Sequence, residues 1–65
     1  MSDYTRIRTL DLTHMRRGYL LQLDRLYWEL QFQPPAKHEG IQAAQAYYQK
    51  IVDDIMDELN ERAFN

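Results

Sequence analysis

Residues 33–40, Gln33-Pro34-Pro35-Ala36-Lys37-His38-Glu39-Gly40, decide the fold. Adjacent prolines end a helix, because each lacks an amide donor and its ring collides with the preceding turn, and they bias Gln33 and Pro34 toward extended geometry. Whatever precedes this stretch stops there, and whatever follows starts afresh.

On the N-terminal side, Leu12, Met15, Tyr19, Leu23, Leu26 and Leu30 recur at steps of three and four. At about 100° per residue these fall on one stripe, which predicts a helix over 11–33. Gly18 lies inside it, at a cost of about 1 kcal/mol relative to Ala. On the C-terminal side, Ile41, Ala44, Tyr48, Ile51, Val52, Ile55 and Leu59 make a second stripe with Met56 on its flank, predicting a helix over 40–63. No Ser, Thr, Asp or Asn precedes this helix as a cap; Pro35 and Glu39 are the start signals, placing the start between Ala36 and Gly40.

A turn as short as 34–39 makes consecutive helices antiparallel neighbours. The expected fold is therefore all-α: an antiparallel helical hairpin, one domain over residues 1–65, with residues 1–10 as an N-terminal arm. Within the arm Thr5, Ile7 and Thr9 alternate with Arg6 and Arg8, as in a strand or extended segment, and Asp11 or Thr9 is the expected cap of the first helix.

Composition narrows the class. Sixty-five residues suffice for one small domain, and 45% hydrophobic with 28% charged residues is the balance of a folded chain. There is no cysteine, so neither disulfides nor thiolate metal sites brace the core. Charges interrupt every apolar stretch and the N-terminus lacks a secretory signal pattern, so a soluble, cytoplasmic protein without a membrane partner is expected. A net charge of −2 announces no polyanionic partner.

The first helix carries more apolar surface than a hairpin can cover. Leu21, Trp28 and Phe32 fall nearly opposite its main stripe, and Leu20 and Tyr27 widen one edge. A lone hairpin of this length buries too little surface to offset chain entropy, so self-association of two hairpins into a four-helix bundle is expected. The alternative is that Trp28 and Phe32 fold over the proline turn as a local cap. Leu21, Tyr27, Trp28 and Phe32 are thus candidate partner-binding residues, as is Tyr47, while Tyr19 and Tyr48 belong to the stripes.

Charge is unevenly spread. Asp53, Asp54, Asp57, Glu58 and Glu61 crowd the end of the second helix, where the macrodipole disfavours anions and like charges four apart repel. An antiparallel hairpin lays this end beside Arg6, Arg8, Arg16 and Arg17. Internal compensation, with Arg16 and Arg17 neutralising the acids, is the expected arrangement. Asp53, Asp57 and Glu61 are the acidic candidates for an external basic partner, Asp57 and Glu61 lying away from the main stripe.

Catalytic constellations are not found. Asp53-Asp54-x-x-Asp57 matches a magnesium-diphosphate pattern, but such chemistry needs a large helical cavity and a second acidic motif. His14 and His38 lack companions for a metal site, Ser2 and the other hydroxyls lack a paired base, and Gly18 and Gly40 are too far apart for a phosphate loop. The expectation is a non-enzymatic regulator, inhibitor or adaptor, without cofactor, that binds an unidentified protein. The alternative is a nucleic-acid-binding dimer using Arg6, Arg8, Arg16 and Arg17, with Arg25, Tyr4 and Tyr19 in support.

Overall fold

The computed structural model describes residues 3–64, so Met1 and Ser2 of the expected arm, and Asn65, lie outside the described residues. Two long helices, α1 (Thr9–Phe32) and α2 (His38–Phe64), pack against each other as a hairpin. Among the described residues there is no strand, and no helix is long and apolar enough to cross a membrane.

The proline turn does what its chemistry requires. Gln33 (φ −90°, ψ 148°) and Pro34 (φ −66°, ψ 155°) are extended, after which Pro35–Lys37 forms one 3-10 turn leading into α2. The Gln33 amide donates to the Glu29 carbonyl at 2.8 Å, completing the last turn of α1. His38 Nε2 then donates to the Gln33 carbonyl at 2.9 Å, so the first residue of α2 ties down the end of α1.

At the other end the arm is helical rather than extended. Asp3–Arg6 forms a 3-10 turn, with the Ile7 amide donating to the Tyr4 carbonyl at 3.1 Å. The expected cap of α1 is also corrected. Arg8 occupies the capping position without a side-chain cap, and Thr9 and Leu10 are already helical. Asp11 lies in the first turn and accepts from Arg8 Nε at 3.3 Å, while Thr13 Oγ1 donates back to the Thr9 carbonyl at 3.0 Å. A carboxylate in that position favours the helix start through the dipole, without capping it.

The two stripes meet, but shallowly. Among the described residues the buried apolar side chains are Leu12, Leu23, Val52 and Ile55, whereas Met15, Tyr19, Leu26, Leu30, Ile41, Ala44, Tyr48, Ile51 and Leu59 are half-buried. Tyr19 and Tyr48 touch across the interface with ring centroids 5.8 Å apart. The result is a rod of 46 × 20 × 17 Å with a radius of gyration of 14.1 Å, against about 11 Å for a compact chain of this length.

Candidate functional site

The outer face of α1 is built by helical periodicity alone. Leu10, Leu21, Trp28 and Phe32 share a stripe on the side away from α2 and stand 64%, 63%, 56% and 75% exposed. Trp28 and Phe32, four residues apart, stack with centroids 6.0 Å apart and an interplanar angle of 6°. They therefore pack against each other with near-parallel rings and leave their outer surfaces in solvent, where folding over the proline turn would have buried them. Tyr27 and Leu20 are exposed on a neighbouring edge. Tyr47 is exposed on α2, its ring edge-on to Tyr48 at 5.5 Å.

Leu10 was not among the sequence candidates. Its signal was present, since it precedes Leu21 by eleven residues or three helical turns, but the alternation of Thr5, Ile7 and Thr9 assigned it to the arm.

The acidic end is arranged around a cavity of about 210 Å³ lined by Thr5, Asp54, Asp57, Glu58 and Glu61. Glu58 is buried and held by Arg62, whose Nε and Nη2 both lie 3.3 Å from Glu58 Oε1. The same guanidinium reaches the other end of the chain: Nη1 donates to Thr9 Oγ1 at 3.1 Å, and Nη2 to the carbonyls of Tyr4 at 2.9 Å and Thr5 at 3.3 Å. Arg62 thus clasps the 3-10 arm against the end of α2, a role that sequence spacing could not reveal because it joins residues 57 and 58 positions apart.

The expected compensation by Arg16 and Arg17 is not what the structure contains. The ion pairs among the described residues are Arg8–Asp11, Arg25–Glu29 and Arg62–Glu58. Asp53 accepts a hydrogen bond from Gln49 Nε2 at 2.9 Å, and neither Asp57 nor Glu61 is joined to an arginine. The reason is geometric. Arg17 turns to the outer face of α1 and Arg16 lies half-buried on another flank, while Asp57 and Glu61 point away from the hairpin interface.

The same placement disperses the alternative basic set. Arg6 ends the 3-10 turn, Arg8 is paired with Asp11, and Arg16 and Arg17 stand about 100° apart around α1. No grouping of three or more His, Asp or Glu that could hold a metal occurs among the described residues. A second depression, of about 340 Å³, opens beside Met15, Gly18, Tyr19 and Gln22, and is largely apolar.

The chain matches no protein-family model, no curated protein and no solved structure.

Proposed function

We propose that this chain is a non-enzymatic binding protein, a regulator, inhibitor or adaptor that acts through protein–protein contacts after two hairpins pair into a four-helix bundle. The observation that carries this reading is the outer face of α1. With four apolar side chains buried among the described residues, Leu21, Trp28 and Phe32 are left in solvent on one contiguous stripe, and Tyr27 is exposed on a separate edge of α1. Aromatic and leucine side chains in such a cluster gain most from a protein surface that removes them from water. Self-association uses this apolar face, and the acidic end, with Asp53, Asp57 and Glu61, faces a basic protein partner. Carboxylates without arginine partners are the ones whose field reaches outward, favouring encounter with a positive surface.

The test is capture from a nuclease-treated lysate over a salt series, comparing wild type with Asp57→Asn/Glu61→Gln. A basic protein retained by wild type, released by salt and lost with the neutralised variant supports the reading. Retention only of material that nuclease removes would favour the arginine-based nucleic-acid alternative, and equal retention by both forms would remove the acidic end as the contact.

A further inference from the structure

We infer that the outer face of α1 is an isologous dimer interface, in which α1 packs antiparallel on α1 of a second copy about a twofold axis passing at Leu21. The inference rests on the reading of that face as a contact surface and names its occupant.

An isologous interface must be self-complementary. When two antiparallel helices are related by a twofold axis, a residue a given number of positions before the axis meets the residue equally far after it on the other copy. Residues on one flank of the stripe also meet residues on the same flank. The stripe of α1 satisfies the first condition about Leu21 with side chains near its midline, and its charged flank satisfies the second. Leu10 lies eleven positions before it and Phe32 eleven after, so each Leu10 packs on Phe32 of the second copy. His14 lies seven before and Trp28 seven after, so the imidazole stacks on the indole of the second copy. At the axis Leu21 meets itself. The contacting stretch runs from Leu10 to Phe32, a length of about 33 Å.

Charge fixes the register. Arg17 and Asp24 are two turns apart and share one flank of the stripe; four positions before the axis and three after it, they face each other across the interface twice. Both are exposed and neither has an ion-pair partner within the chain among the described residues. Arg25, on the opposite flank, keeps its own carboxylate partner in Glu29 at 3.7 Å.

Area supports a second copy as occupant. The chain exposes 5361 Å², whereas a folded monomer of 7.9 kDa exposes about 4,400 Å². The excess, roughly 950 Å², is of the order of the ~800 Å² that each partner contributes to a standard interface. Since the outer face of α1 lies opposite its contact with α2, this pairing lays the four helices side by side, both α1 helices inside and both α2 helices outside, a flattened arrangement in place of the compact four-helix bundle.

Sedimentation equilibrium of the full chain tests the register. Arg17→Asp and Asp24→Arg each replace two attractions by two repulsions and are expected to weaken dimerisation by about tenfold at low salt, with the double variant restoring it. Rescue within one chain is excluded because residues seven apart on a helix are about 10 Å apart. As a second measurement, Leu21→Cys in this cysteine-free chain should form a covalent dimer on mild oxidation, while Lys50→Cys on α2 should not. A monomeric wild type overturns the proposal. So does a dimer in which the double variant gives no rescue and Leu21→Cys does not cross-link, for then the hairpins pair through another face. Partner capture through Asp57 and Glu61 is read separately, so failure of the dimer register is distinguishable from failure of the binding function.

Discussion

Arg62 contributes more to the architecture than any other single polar side chain described. One guanidinium neutralises the buried Glu58 and donates to Thr9 Oγ1 and to the carbonyls of Tyr4 and Thr5. Hydrogen bonds that involve a charged group are each stronger than neutral ones, and removing one partner leaves Glu58 without its counter-charge. Arg62→Ala is therefore expected to cost about 1.5–3 kcal/mol, measured by chemical denaturation, and to expose the arm to proteolysis. Arg62→Lys should recover only part of this, because an ammonium cannot reproduce the fork. Within the core, Ile55→Ala is expected to cost about 2–5 kcal/mol, since Ile55 is fully buried. Ile51→Ala should cost less, because the Ile51 side chain is already partly open to solvent. Equal losses at the two positions would show that Ile51 becomes buried in an assembly.

The helices themselves were legible from spacing. The steps of three and four around Leu12 to Leu30 and Ile41 to Leu59 place these residues on the facing sides of α1 and α2, and the prolines separate the two helices where backbone chemistry demands. The helical arm and the first-turn position of Asp11 were not legible. A period-two pattern over five residues is too short to separate strand from 3-10 turn, and the contact that decides the matter comes from Arg62 at the far end of the sequence. Compensation at the acidic end was misjudged for a related reason: adjacency of two helix ends does not aim side chains at each other. With Asp57 and Glu61 unpaired by arginine, Asp57→Asn/Glu61→Gln is expected to leave the melting temperature unchanged or raise it by relieving repulsion at the negative end of α2. A lower melting temperature would restore the compensation account. Gly18 is a second element-scale case. Its φ is not positive and a Cβ there meets nothing within 4 Å, so Gly18→Ala should stabilise α1 by about 1 kcal/mol in thermal unfolding.

For the whole molecule, the proportions of the rod govern its behaviour. Four buried apolar side chains among the described residues leave most of the apolar stripe surface only half covered. That is too little to hold a lone hairpin firmly against chain entropy. The proposed pairing through the outer face of α1 would remove Leu10, Leu21, Trp28 and Phe32 from water and leave the acidic end of α2 on the outside of the assembly. Stability should then depend on protein concentration, because dimerisation and folding share one free energy. Trp28→Ala, which touches the pairing face and not the contact between α1 and α2, should weaken association and leave helicity at high concentration unchanged. The measurement that tests the central claim most directly is the solution mass of the wild-type chain by light scattering at tens of micromolar. The account predicts about 16 kDa, twice the 7.9 kDa chain. A particle of 7.9 kDa that still unfolds cooperatively would contradict it.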